Sequence, residues 1–417
     1  MPPKQLPEDP IIRSLMQAAR RSQVTRRGVL AGGVGAGLAA FLAACAGQIG
    51  GGQPGGTATT ATGPTPAEDL SASDPTMTWA NWSYYLDEDK KGNHPTLEAF
   101  TKSTGIEVTY DVAVEDNNSY YAAVIDQLRL GQDIGADTVC LTDWMIGILL
   151  SQGFGQQFDK SIMPNVNANL APSYVNADFD PNRNYSVPWQ SGFAGIGWNK
   201  ERLPKGLATL DDLWDPELRG RVGVLSEMRD TIGLIMLSQG VDISSQSWGE
   251  TEFANALDVF EEQVSNGQIR NIKGNSYAED LQNEDTLAAI VWSGDITAIN
   301  FTLGEDKFGF AIPDSGGTLW SDNFIIPIGS HKKTNAEKLI DYYYDPEVAA
   351  EVAAWVNYIT PVVGAQEAME KIDPSLVDDQ LIFPSEETLS MVKMFRTLSV
   401  AEQQDYQSRF DNVGLGA

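Results

Sequence analysis

The sequence predicts an α/β protein of two lobes, and three observations carry that reading. Short apolar runs alternate with amphipathic segments along most of the chain. About 340 residues follow a Gly/Thr/Pro-rich stretch, a length that fills two lobes of ordinary size. Several apolar runs also end on an aromatic residue, a carboxylate or both, and strand ends are where open α/β sheets place their ligands.

The N-terminal 45 residues read as an export signal. A basic flank precedes a weakly apolar run from Gly28 to Leu42, too short for a membrane span of roughly 20 residues. Thr25-Arg26-Arg27-Gly28-Val29-Leu30 resembles a twin-arginine signal, and Leu42-Ala43-Ala44-Cys45 resembles a lipobox in which Cys45 is lipidated. Residues 46–75 are too polar and too rich in Gly to bury a core, and are expected as a flexible linker. The expected product is an exported protein held on the outer face of the cytoplasmic membrane by a lipid anchor only.

Once Cys45 is set aside, Cys140 remains, so no internal disulfide is available, and its run "ADTVCL" reads as buried core. The chain carries a net charge of −29; residues 1–45 hold +4, and removing them leaves −33. Such a balance argues against nucleic acid and anionic lipid headgroups as partners, and it draws cations toward the surface. His94 and His331 both read as surface residues, and no phosphate loop, paired-Cys motif or nucleophile elbow is present. The expectation is a binding protein without catalytic residues, metal or cofactor.

In order, "HPTLEAFTKSTG" reads as a helix opened by Pro95 and closed near Gly105, and "IEVTYDVA" alternates as a strand. "SYYAAVIDQLRLG" carries a helical stripe at Tyr121, Val124, Ile125 and Leu128. "ADTVCL" is a buried strand, followed by a helix over "WMIGILLSQG". Four strand ends then share one chemistry: "TMTWAN" leads to Trp82 and Tyr85, "ADTVCL" to Thr142, Asp143 and Trp144, "RVGVL" to Glu227 and Asp230, and "LAAIV" to Trp292 and Asp295. Singly, each ring is ordinary core and each acid ordinary helix-dipole complementarity. Together they describe a slot whose rings attract cations and bury methylenes, while its acids neutralise ammonium groups. Two alternatives remain open on the residues alone: the same architecture binding a sugar or a metal ion, and an exported glycoside hydrolase with paired carboxylates.

At "NWSYY", "LTDW", "NYSVPWQSGFAGIGWNK", "IVWSGD", "LWSDNFIIP" and "NYITPV" the chain resembles the spermidine/putrescine-binding proteins of ABC importers, over roughly residues 78–413. The resemblance implies a periplasmic-binding-protein-like fold of type II, two α/β lobes with a hinge and an interlobe ligand cleft. Its lobes would be 76–188 with 320–358, and 189–319 with 359–417. It implies a polyamine ligand, delivery to ABC permease membrane subunits, and a monomer. Carried over, Trp82 and Tyr85 pack on methylenes, Thr142 stands where the family often has a serine, and Trp144 where it has a tyrosine. Glu227 and Asp230 meet a terminal ammonium, Trp292 and Trp320 wall the slot, Asp322 holds a secondary amine, and Tyr358 lines the cleft. Gln403 or Gln404 supplies a C-terminal polar group, with Asp143 and Gln190 as lesser candidates.

Overall fold

The fold was obtained as a computed structural model, which describes residues 63–415. The signal segment, Cys45 and most of the expected linker lie outside the described residues. Helix and strand follow the expected order. Pro95 sits in the first turn of α1 (Pro95–Thr104), and Gly105 closes it in the left-handed region at φ 75°, where a residue without Cβ is unstrained. Asp116 caps α2 (Asn117–Arg129) by accepting from the Ser119 amide at 2.8 Å.

Twelve strands form among the described residues. The first half contributes β1 (Thr76–Trp82), β2 (Glu107–Val114) and β3 (Thr138–Thr142), with helix α3 (Asp143–Ser151) leaving the end of β3. A short hairpin of β4 (Asn176–Ala177) and β5 (Asp180–Pro181) precedes the long β6 (Ser186–Asn199). The second half contributes β7 (Val222–Leu225), α4 (Met228–Ser238), α5 (Glu250–Ser265), β8 (Ile269–Lys273), α6 (Tyr277–Gln282), β9 (Ala288–Trp292) and α7 (Ser293–Leu303). After β10 (Phe308–Ala311), strand β11 (Gly317–Ile325) returns, and α8 (Lys333–Tyr342), α9 (Pro346–Val356), β12 (Val392–Met394) and α10 (Val400–Leu415) complete the chain.

The main sheet runs β2-β1-β3-β11-β6-β9-β7-β8. Its two ends repeat one pattern: β1 lies parallel between β2 and β3, and β7 lies parallel between β8 and β9. Parallel neighbours need helical crossovers, which is why the amphipathic segments alternate with strands. Between the wings, β11 and β6 run antiparallel to each other and to β3 and β9, and tie the halves together. This is the two-lobed α/β architecture expected from the sequence, and it aims the carboxyl ends of β1, β3, β7 and β9 at the region where the wings meet.

Aromatic rings pack closely in both halves of one continuous core. Fully buried Trp79 meets Tyr110, Trp189, Phe324 and Tyr343 with ring centroids 5.1–5.4 Å apart. In the other half α10 is stapled down by Phe253 on Tyr406, stacked at 3.9 Å, and Phe260 on Phe410. Cys140 is fully buried and unpaired. The segment expected as linker meets the body at Ala67, whose amide donates to the Ile328 carbonyl, and at Leu70, which donates to that of His331. Neither histidine is a plain surface residue: each is half-buried with Nδ1 2.8 Å from a backbone carbonyl.

Candidate functional site

The four strand ends converge. Trp82, at the end of β1, donates its indole N–H to the Cys140 carbonyl at 3.0 Å and meets the edge of Trp292, from the end of β9, at 6.2 Å. Trp292 in turn donates to Asp230 Oδ2 at 2.8 Å, and the Thr318 hydroxyl from β11 takes the other oxygen. One carboxylate near the start of α4 is therefore held by side chains from two other strands. Its pKa is raised to about 6, because burial outweighs those two bonds and the Arg229 charge.

Asp322 lies on β11 between two neighbours in register, Thr142 of β3 and Gln190 of β6. Opposed residues on antiparallel strands point to the same face, so Thr318, Trp320 and Asp322 line one face with Gly192 and Gln190 beside them. Gly192 is required there: a Cβ would come within 2.5 Å of the Trp320 ring and 2.7 Å of Tyr358. Tyr85 donates to Asp322 Oδ2 at 2.9 Å, while Oδ1 is buried without a protein partner. Burial lifts the pKa of Asp322 to about 7, against the hydroxyls of Thr142 and Tyr85, which lower it. Tyr85, Trp320 and Tyr358 form a box beside it, with centroids 6.4, 5.5 and 5.0 Å apart pairwise.

Glu227 caps α4 and is buried, with only long contacts: the Asn117 amide at 3.3 Å, the Arg229 amide at 3.4 Å and the Arg229 guanidinium at 3.8 Å. Burial pushes its pKa up to about 8, opposed by Arg229 and reinforced by the Asp230 charge. Asn117, at the start of α2, also donates to the Thr142 hydroxyl at 2.8 Å and accepts from the Thr142 amide. Thr142 faces Asp322 across the β3–β11 pair, so Asn117 ties that pair to Glu227.

Trp144, which stands where the family has a tyrosine, is covered on one face. The Arg229 guanidinium sits 4.0 Å over its ring, so that face already carries a cation. Arg229 also donates to the side-chain amide oxygen Oε1 of Gln403, which brings the C-terminal glutamine to the same place. Asp143, next to Trp144, has its carboxyl raised by burial.

Sequence reading passed over Asn117, Arg229 and the surroundings of Asp295. The last accepts from Tyr358 at 2.8 Å, Tyr277 at 2.9 Å and Asn275 at 3.3 Å, and burial holds it at about 6. The "IVWSGD" block marked Asp295, but its donors come from distant segments that no local pattern announces. The indole N–H groups of Trp144 and Trp320 also lack a protein partner. Among the described residues no three His, Cys, Asp or Glu side chains gather as a metal site.

The arrangement is a buried cluster of carboxylates and rings with the Arg229 guanidinium among them. Comparison with known proteins points the same way. The chain is 29% identical over 316 residues to the spermidine/putrescine-binding periplasmic protein of Escherichia coli (strain K12), covering 75% of this chain and 84% of that one. It is 28% identical over 320 residues to the putrescine-binding periplasmic protein of the same organism, covering 71% and 82%. The fold matches a structure described as a putative spermidine/putrescine ABC transporter from Listeria monocytogenes with a TM-score of 0.70, at 24% identity, over 82% of this chain and all of that one. Residues 95–382 match the family model of the bacterial extracellular solute-binding proteins, and the chain belongs to that family.

Proposed function

We propose that the protein is an extracytoplasmic receptor that captures a polyamine such as spermidine or putrescine and delivers it to an ABC permease, without chemistry on the ligand. The lobes would be 76–188 with 320–358 and 189–319 with 359–417, closing as a monomer over a ligand held in the cleft. Cys45 would carry the lipid that tethers the receptor to the outer face of the membrane. The observation that carries this reading is Asp322 Oδ1: a buried carboxylate oxygen with no protein donor, beside the rings of Tyr85, Trp320 and Tyr358. A buried acceptor of this kind favours a ligand that brings N–H donors. The polyamine-binding relatives support the choice of ligand.

In this reading Trp82, Trp292, Trp320, Tyr85 and Tyr358 hold methylenes, Asp322 and Glu227 hold ammonium groups, Thr142 and Asp230 orient them, and Trp144 acts through Arg229. Calorimetric titration of the purified protein with spermidine, putrescine, maltose and ferric iron tests it. Binding of an amine alone is expected, and Asp322→Asn is expected to weaken it more than about tenfold without unfolding the protein. Binding of sugar or iron in place of an amine overturns the reading.

A further inference from the structure

We infer that Gln190 is a second ligand for the ammonium at Asp322, and that the pair selects a nitrogen inside the chain of a triamine. The inference rests on the polyamine reading and adds a residue and a preference to it. Gln190 is on β6, directly opposite Asp322 of β11 and on the same face of the sheet. It is 2% exposed, and its Oε1 is buried with no protein partner, as is Asp322 Oδ1. Two orphaned acceptors on adjacent, in-register strands are costly to leave unpaired. Their shared chemistry is that of a cation bearing two N–H groups, and a protonated secondary amine bears two.

The position of the pair makes that nitrogen internal. On one side Asp322 is bonded to Tyr85, which opens onto the ring box with Trp320 and Tyr358. On the other, Thr142 and Asn117 lead to the second under-satisfied carboxylate, Glu227. A ligand with a terminal ammonium at Glu227 and a second nitrogen at Asp322 continues as methylenes among the rings. A diamine ends before that box or sets a methylene against the two acceptors, which penalises it.

The test compares wild type with Gln190→Met and Gln190→Glu, each titrated with spermidine and with putrescine. Gln190→Met removes the acceptor at similar volume and is expected to raise the spermidine Kd about tenfold, with less than about a threefold change for putrescine. Gln190→Glu keeps an acceptor and is expected to hold spermidine within about threefold of wild type or tighter. Equal losses for both amines, no loss in Gln190→Met, or a tenfold loss in Gln190→Glu would each overturn the role of Gln190. A wild type that takes neither amine overturns the polyamine reading itself, which separates the two failures.

Discussion

Asp295 and Asp322 are the same side chain in equally buried places, yet their hydrogen-bond surroundings differ. Three donors converge on Asp295, so it braces Tyr277 and Tyr358 and has little left for a ligand. Asp322 keeps one oxygen without a protein donor. Their removal is expected to have opposite effects on the protein without ligand. Asp295→Ala leaves two tyrosine hydroxyls unpaired and should lower unfolding free energy by about 2–4 kcal/mol in urea titration. Asp322→Asn relieves a desolvated carboxyl and should leave stability unchanged or higher, as expected of a group kept for binding. A marked loss in Asp322→Asn would make it a structural residue. The carboxylates at strand ends were legible because each follows an apolar run, but the division between brace and ligand was not. Tyr277 lies 18 residues from Asp295 and Tyr358 lies 63, and no sequence pattern couples them.

At the level of elements, the pattern "LWSD" is readable because a strand alternates: Thr318, Trp320 and Asp322 share a face once β11 is a strand. Helices were less transparent. Arg229, between the two acids of "EMRD", lies across Trp144, a contact between the starts of α4 and α3 that no local periodicity announces. The same holds for the turns that meet across the halves. The carbonyl of Glu115, after β2, accepts from the Asn275 amide at 3.4 Å, and its carboxylate accepts from the Ser276 amide at 3.0 Å, both just before α6. A Cβ on Gly274 would lie 2.2 Å from that carbonyl, so only glycine allows the approach. If this contact forms as the proposed lobes close, Gly274→Ala acts on closure and not on either lobe. Its spermidine Kd should rise about tenfold or more while the melting temperature without ligand stays within about 2 °C of wild type. Unchanged affinity would show that the turns need not touch for binding.

For the molecule as a whole, the proposed amine contacts to the buried acids would make binding a proton-linked event. Glu227, Asp322, Asp230 and Asp295 stand at about 8, 7, 6 and 6, all above their ordinary values of 4.5 for Glu and 3.8 for Asp, chiefly through burial. A carboxyl whose folded pKa is raised binds its proton more tightly in the native state than in the unfolded chain. Stability without ligand must therefore fall as pH rises from about 4 to about 8, through the folded values. An ammonium beside Asp322 and Glu227 favours their charged forms, lowers both pKa values and expels protons. Spermidine affinity should accordingly tighten from pH 5 to pH 8, with about one to two protons released per ligand near neutrality. Calorimetry at pH 7 in two buffers of different ionisation enthalpy reads that number directly. The melting temperature of the saturated protein should also lose most of the pH slope seen without ligand. Equal heats in the two buffers would mean that the acids are already charged before the amine arrives, and the cleft would then attract its ligand by charge alone, with salt weakening capture accordingly.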